Sequence, residues 1–219
     1  MRKLFALAGI LALGLFSVNA YADDYAFGFS NFTGGNNLTI NGAAYYNTDS
    51  GWIQSTGEHD GGNPNYVSGD LGGVAYNDYF SFDLSSLTGS VTSASFNVYT
   101  YEISDPGSYD IYATSLTPAE VNSGNSFTST AFFNDLTSGP AIGSIDLTPG
   151  ESNTNVTIDL NAAGMTWLAD NAGGEVVLGG AFNYTPPPPV VPEPSSLFLL
   201  GSGIAGLAGM LRRRIAISL

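Results

Sequence analysis

The chain has 219 residues with 19 acidic and 5 basic side chains, and all five basic residues lie near the ends, at positions 2, 3 and 212–214. Among the acidic residues only Glu193 lies outside residues 22–191, so this central part carries 19 − 1 = 18 carboxylates and no Lys or Arg, which excludes nucleic acid as a partner because phosphates would be repelled. The absence of cysteine excludes disulfides, thiolate metal sites and thiol nucleophiles. Neutral glycans, divalent cations and cationic surfaces remain as partners.

Residues 1–22 have the pattern of a secretory signal peptide. Arg2 and Lys3 form a short basic region, residues 4–18 are apolar, and Ala20-Tyr21-Ala22 is a cleavage pattern of small residues. A retained transmembrane anchor is the alternative, and the shortness of the apolar stretch disfavours it. We therefore expect an exported protein.

Residues 23–184 are predicted to form one domain rich in β-structure. The aromatic content of 12% and the 28 glycines of the whole chain are typical of strands joined by tight turns. Short strands are expected at 25–29, 38–40 and 43–46. Residues 52–77 contain six glycines and little regular alternation, so we expect a long irregular loop, which is a common place for function.

Regular alternation of apolar and polar residues begins after this loop. In residues 79–84 the side chains of Phe80, Phe82 and Leu84 share one face. Further strands are expected at 94–101, 109–114, 142–147, 156–160 and 175–184. This spacing predicts an all-β fold, an antiparallel β-sandwich.

One or two short helices are predicted between these strands. Thr117-Pro118-Ala119-Glu120 combines an N-cap, a proline at the first helical position and an acid in the first turn. Residues 161–171 have apolar side chains at helical spacing, and we expect Met165 and Trp167 to close one end of the sandwich.

Three segments follow the predicted domain. Residues 185–191 contain a proline run that cannot enter a sheet, so they are predicted to form an extended spacer. Residues 195–211 carry no charge and are predicted to form a transmembrane helix, with the following arginines and the tail at 215–219 in the cytoplasm. A buried core helix is the alternative, which the arginines and the spacer disfavour.

The order of these segments resembles the PEP-CTERM sorting signal of exopolysaccharide-producing Gram-negative bacteria. The residues that carry the resemblance, within 192–214, are Pro192, Glu193, Pro194, Arg212, Arg213 and Arg214. The resemblance implies transient anchoring in the inner membrane, recognition by an exosortase, cleavage near the Pro-Glu-Pro triplet, and delivery to the cell envelope, outer surface or extracellular matrix. The apolar tail after the arginines departs from the pattern.

The middle of the chain also resembles a family. Gly51-Trp52, Asn63-Pro64-Asn65-Tyr66 and residues 69–73 and 79–85 are similar to an uncharacterised β-sandwich domain of PEP-CTERM proteins. That domain resembles the jelly-roll, carbohydrate-binding-module-like domains of secreted disaggregatase-type proteins. The resemblance extends over residues 51–184 and implies a jelly-roll-like sandwich more than it implies a function.

The acidic part of the 52–77 stretch predicts a calcium site. Glu58, Asp60, Asn63 and Asp70 offer the hard oxygen ligands that Ca²⁺ prefers, although their spacing is not that of an EF-hand. A solvated acidic loop is the alternative. No other cofactor is expected.

The single histidine, His59, stands between two acidic residues. Two roles are open to His59. One is that of a catalytic base or a metal ligand, and the other, which is commoner for a lone loop histidine, is that of a solvated or locally hydrogen-bonded residue. Because the chain has no G-x-S-x-G motif and no signal of a Ser-His-Asp arrangement, we predict no catalytic residues.

Aromatic side chains with polar neighbours are the candidates for a glycan site. We predict Trp52, Tyr66, Tyr99 and Tyr101, because exposed rings stack on sugars and the last two fall on the polar face of their strand. Core or cross-strand packing is the alternative.

These patterns together predict an exported, non-enzymatic protein of the cell surface or matrix with a structural, adhesive or exopolysaccharide-associated role in biofilm. A secreted carbohydrate-active enzyme is the alternative.

Calcium binding would be visible in thermal unfolding. We expect millimolar Ca²⁺ to raise the unfolding midpoint by several degrees and a chelator to reverse the rise, because a ligand bound only by the folded state stabilises it. Mg²⁺ at the same concentration is the control, and an unchanged midpoint in Ca²⁺ would contradict the prediction.

Overall fold

The computed structural model describes residues 23–28, 35–186 and 203–204. The predicted signal peptide and most of the predicted sorting segment lie outside these residues. The chain divides into two units, Met1–Thr185 and Pro186–Leu219, and every strand of the described residues belongs to the first.

Residues 23–28 and 35–186 form thirteen strands and three α-helices. The strands are β1 (Asp24–Gly28), β2 (Asn37–Ile40), β3 (Ala43–Gln54), β4 (Glu58–His59), β5 (Tyr66–Leu71), β6 (Val74–Asp83), β7 (Ala94–Thr100), β8 (Glu102–Ile103), β9 (Gly107–Ala113), β10 (Phe127–Thr128), β11 (Ala141–Leu147), β12 (Thr154–Asp159) and β13 (Glu175–Tyr184). The helices are α1 (Pro118–Val121), α2 (Thr130–Asp135) and α3 (Ala162–Asp170).

Strand β3 links two antiparallel layers because its two ends pair with different strands. Residues 43–46 pair with β2, and the residues from Asn47 onward pair with β6. The register of this second pairing shifts between Asn47 and Asp49. The first layer has the order β3-β2-β7-β12, and the second has the order β11-β9-β13-β6-β3. Strands β5, β1 and β8 extend the second layer beside β6.

Apolar side chains of both layers meet in one core. The rings of Phe80 and Phe82 on β6 pack edge-on against Phe96 on β7, with centroids 4.9 and 6.0 Å apart, and all three are fully buried. The face predicted from alternation is therefore the one that lies between the layers. The predicted all-β antiparallel sandwich is confirmed.

A second, smaller core covers the opposite face of β6 and β13. Its buried residues are Ile53, Tyr79, Leu116, Val121, Leu136 and Val177. The chain after α2 lies directly on β13, since a Cβ on Gly179 would come 2.0 Å from the carbonyl oxygen of Leu136. Both faces of β6 and β13 are thus buried, which explains the uninterrupted apolar run Val176-Val177-Leu178.

The prediction of a long irregular loop at residues 52–77 is wrong. These residues complete β3, contain β4 and β5, and begin β6. Gly72 and Gly73, with φ of 66° and 78°, form the two-residue turn between β5 and β6. A Cβ on Gly69 would come 2.2 Å from the carbonyl oxygen of Asp24 on the neighbouring strand. The glycines therefore serve a tight turn and a close strand approach.

Both predicted helices are present. In α1 the backbone N–H of Thr117 donates to Glu120 Oε2 over 2.7 Å as part of a capping box. In α3 the N-cap Asn161 accepts from the backbone N–H of Gly164 over 3.0 Å, and Met165 and Trp167 pack against the main core as expected.

The sequence does not predict the third helix, α2. Its first turn contains no acidic residue, and its two large apolar residues, Phe132 and Phe133, are adjacent rather than spaced by three or four positions. Its aromatic side chains pack on the second core, and this packing favours the helix more than local sequence does.

Asp78 on β6 is a buried carboxyl group. Tyr109 Oη donates to Asp78 Oδ1 over 2.8 Å, and Gly180 leaves the space for this pair, because a Cβ there would come 2.0 Å from Asp78 Oδ1. A cavity of about 10 Å³ beside the pair has the size that one water needs. Burial raises the pKa of Asp78 to about 7, while the hydrogen bond from Tyr109 opposes part of the rise.

This raised pKa predicts the pH dependence of stability. The ionised carboxylate is penalised only in the folded state, so stability falls as the pH rises from about 4 through about 7, by up to about 4 kcal/mol. We expect Asp78→Asn, which keeps an oxygen for Tyr109, to raise the thermal midpoint at about pH 8 and to change it little at about pH 4.

Asp83→Asn at the exposed end of the same strand is the matched control. The pKa of Asp83 is lowered by hydrogen bonds from Ser85, so its replacement should bring no gain at the higher pH. Equal midpoints of Asp78→Asn and the unaltered protein at both pH values would contradict the prediction.

Candidate functional site

An open cleft of about 580 Å³ lies where β4 pairs with β10. Its lining residues are Thr56, Glu58, His59, Asp60, Ser126, Phe127 and Thr128. The two walls come from segments more than 60 residues apart, which the pairing of Phe127 with His59 brings together. A Cβ on Gly61 would come 2.3 Å from the carbonyl oxygen of Ser123, so this glycine permits the close approach of the walls.

His59 is held on one side of this cleft by the backbone and by aromatic rings. Its Nδ1 lies 2.7 Å from the carbonyl oxygen of Trp52, and because a carbonyl only accepts, Nδ1 carries the proton of this hydrogen bond. The ring stacks on Phe127 with a centroid distance of 4.7 Å and lies 5.8 Å from Tyr79. It is 3% exposed, and its Nε2 has no hydrogen-bond partner among the described residues.

His59 is therefore a buried strand residue and not a solvated loop residue. The sequence missed this because the covering residue, Phe127, is distant in the chain. The ring is buried between Phe127, Tyr79 and Trp52, and its Nδ1 is fixed by a backbone carbonyl, so His59 has the environment of a structural anchor.

The oxygen ligands predicted for calcium are divided between two clefts. Glu58 and Asp60 line the cleft at β4, whereas Asp70 lines another. Asp60 Oδ1 accepts from the backbone N–H of Gly62 over 2.9 Å, and Asn63 accepts from that of Asn65 over 3.2 Å. In residues 23–28, 35–186 and 203–204, no three His, Asp or Glu side chains are placed to hold one metal ion. Calcium binding stays a prediction.

The second cleft, of about 360 Å³, is acidic. Asp24 of β1 stands directly opposite Asp70 of β5 in the strand pairing, and both line this cleft beside Tyr76 and Tyr184. Burial raises the pKa of Asp24, and the charges of Asp105, Asp70 and Asp23 raise it further. The sequence gives no signal of this cleft, because only the pairing of β1 with β5 brings the carboxylates together.

The structure separates the four predicted glycan-binding aromatics. Tyr66 is buried and donates from Oη to the carbonyl oxygen of Tyr99 over 2.6 Å, and Tyr99 is itself 6% exposed. Neither presents a ring to solvent, so burial corrects the expectation for both. Trp52 is half-buried. Its ring packs edge-on to that of Tyr76 with a centroid distance of 5.5 Å, and its centroid lies 6.0 Å from that of the His59 ring.

Tyr101 is the exposed member of the predicted set. It is 41% exposed and packs edge-on against Phe27 with a centroid distance of 6.0 Å. Alternation placed Tyr99 on the same face, but Tyr99 is buried there. Its Oη donates to Asn153 Oδ1 and its backbone N–H donates to Asn36 Oδ1. The predicted aromatics therefore do not form one exposed surface.

The structural role of His59 can be tested by substitution. We expect His59→Ala to lower the free energy of unfolding by roughly 3 kcal/mol, because it removes the hydrogen bond to Trp52 and leaves a cavity among the rings. Glu58→Ala, at the exposed neighbouring position, should stay within about 0.5 kcal/mol. Urea unfolding measures both, and an unchanged midpoint for His59→Ala would show that the ring is not an anchor.

The predicted sorting residues Pro192, Glu193, Pro194, Arg212, Arg213 and Arg214 lie outside the described residues. So does the predicted transmembrane segment 195–211, except for Gly203 and Ile204, which are helical and exposed. Within the described part of the chain, no helix has both the length and the apolar character needed to cross a membrane.

Comparison with known proteins identifies this last segment. Residues 190–214 match the PEP-CTERM protein-sorting motif. No curated protein and no solved structure matches the chain, so the likeness of the sandwich to carbohydrate-binding modules stays a prediction. The chain thus carries a PEP-CTERM sorting motif, which marks an exported protein that is anchored in the membrane before an exosortase processes it.

Proposed function

We propose that the processed protein is a non-catalytic component of the cell surface or extracellular matrix of a Gram-negative bacterium, where it associates with the exopolysaccharide of the biofilm. The sorting motif at residues 190–214 carries this proposal, because it marks the preceding domain as exported and subject to a membrane-bound processing step.

The charge of the domain supports a neutral partner. Residues 22–191 contain no Lys or Arg, so the domain has no strong cation with which to hold an anionic polymer. Sugar hydroxyls need only hydrogen-bond partners and an apolar ring surface. The domain is rich in both, since it contains all of the chain's 12 Tyr residues except Tyr21, together with many Asn, Ser and Thr side chains.

The placement of the titratable groups favours binding over catalysis. The Nδ1 of His59 donates to the carbonyl oxygen of Trp52, and Asp78 is buried against Tyr109. The Nε2 of His59 has no hydrogen-bond partner among the described residues, and the Tyr109 hydroxyl beside Asp78 is buried away from a substrate. A carbohydrate-active enzyme would need two carboxylates on either side of the bond that is broken, and Glu58 and Asp60 in the β4 cleft are the pair to test.

A single incubation separates binding from turnover. We expect the processed protein, recovered from the surface of the producing cells, to be retained by the producer's own exopolysaccharide without release of reducing ends. The control is the Glu58→Gln/Asp60→Asn double variant, which should be retained in the same way. Release of reducing ends that the double variant abolishes would establish the enzyme instead, and lack of retention would contradict the proposed association.

Processing has its own readout in the mass of the mature protein. We expect mass spectrometry of the surface protein to find a C-terminus at or near Pro194, because cleavage near Pro192-Glu193-Pro194 removes the apolar segment. Deletion of the exosortase gene is the control and should retain the full C-terminus. Persistence of Arg212, Arg213 and Arg214 in the surface protein of unaltered cells would contradict processing.

A further inference from the structure

The outer face of the first layer is almost free of charge, although the domain carries 19 − 1 = 18 carboxylates, with only Glu193 outside it. Two rows of side chains cross its four strands, and we call them together the neutral face. The first row is Tyr46, Asn37, Asn97 and Thr157, and the second is Ala44, Thr39, Ser95 and Asp159. Asp159, at the end of the second row, is the one charged member.

Strand alternation makes these side chains point away from the core. Leu38 and Ile40 on β2, Phe96 on β7 and Ile158 on β12 are buried, so the residues between them face outward. All eight members of the neutral face are partly or fully exposed.

Hydrogen bonds across the strands hold the polar side chains of this face in fixed positions. Asn97 Nδ2 donates to Asn37 Oδ1 over 3.0 Å and to Thr39 Oγ1 over 3.1 Å. Thr157 Oγ1 in turn donates to Asn97 Oδ1 over 2.7 Å. The network spans three strands, so a ligand would meet side chains that have already lost most of their conformational freedom.

An exposed aromatic ring ends the first row. Tyr46 is 59% exposed, the highest value among the large apolar side chains of residues 23–28 and 35–186. Its ring lies against the backbone of Gly35, where a Cβ would come 3.2 Å from Tyr46 Cδ1. The row thus combines a ring with amides and a hydroxyl over three strand spacings, about 14 Å.

The outer face of the second layer has a different character. Asp110 and Asp146 lie on its strands, and Glu175 stands directly opposite Asp83 in the pairing of β13 with β6. Carboxylates are therefore concentrated on the second layer, while amides and hydroxyls occupy the first.

We infer that the neutral face binds an uncharged polysaccharide chain laid across β3, β2, β7 and β12. Amide and hydroxyl groups match the hydroxyls of sugars, and the Tyr46 ring matches the apolar face of a pyranose. An acidic chain meets the carboxylate of Asp159 and no cation on this face. The inference rests on the proposed function, for which it names the binding surface.

Two substitutions on the face, each with a matched control, test this assignment. The producer's exopolysaccharide is separated by anion exchange into uncharged and acidic fractions, and the processed protein is titrated with each. We expect the uncharged fraction to bind, and Tyr46→Ala and Thr157→Asp each to weaken its affinity by about tenfold or more. The controls Tyr184→Ala and Thr88→Asp, at exposed positions that belong to neither row of the face, should bind as the unaltered protein does.

The outcomes separate this inference from the proposed function. If the unaltered protein binds the uncharged fraction and the two face variants bind it equally well, the neutral face is not the surface, although the proposed function stands. If only the acidic fraction binds, the neutral face is again not the binding surface, and the proposed function again stands. If no fraction binds, the association with exopolysaccharide fails and the inference fails with it.

Sedimentation tests the competing occupant of the neutral face, which is a second copy of the chain. A dimer that Thr157→Asp converts to a monomer, with polysaccharide binding unchanged, would overturn the inference in favour of self-association. Circular dichroism of every variant checks that the fold is retained.

Discussion

The packing of Phe80 and Phe82 against Phe96 is the interaction on which the rest of the structure depends. It joins β6, which pairs with β13, β3 and β5 in the second layer, to β7 in the first layer, and so holds together the two layers to which β3 contributes. The chain contains no cysteine, so buried aromatic and aliphatic area has to supply the stability that disulfides give many exported domains. The second core, on the other side of β6 and β13, adds to the same central strands.

The absence of lysine and arginine is the second constraint. Carboxylates cannot be neutralised by ion pairs in this domain, so they are exposed, hydrogen-bonded to backbone N–H groups as Asp60 and Asp83 are, or buried and easily protonated as Asp78 is. Strand pairing places Asp24 opposite Asp70 and Glu175 opposite Asp83. Like charges in such positions oppose folding, and the hydrophobic core has to offset them.

The same constraint gives the surface its two characters. Several of the acidic residues lie on the second layer and around the two clefts, whereas the two rows on the outer face of the first layer carry amides, hydroxyls, one alanine, one tyrosine and a single carboxylate, Asp159. This exported domain thereby has an anionic side and a nearly uncharged side. The sorting motif belongs to the other unit of the chain, so delivery and surface chemistry are encoded in separate segments.

The sequence by itself determined the features that depend on local chemistry. Alternation predicted the strands around Phe80, Phe82 and Phe96, capping residues predicted α1, and the helical spacing of apolar residues predicted α3. The order of Pro-Glu-Pro, apolar segment and arginines predicted the sorting motif. Tertiary structure decided everything that depends on distant residues. It buried His59 under Phe127, covered Tyr66 and Tyr99, separated Asp60 from Asp70, and turned a glycine-rich stretch into paired strands. The reason is that register and burial come from partners elsewhere in the chain, which local patterns do not specify.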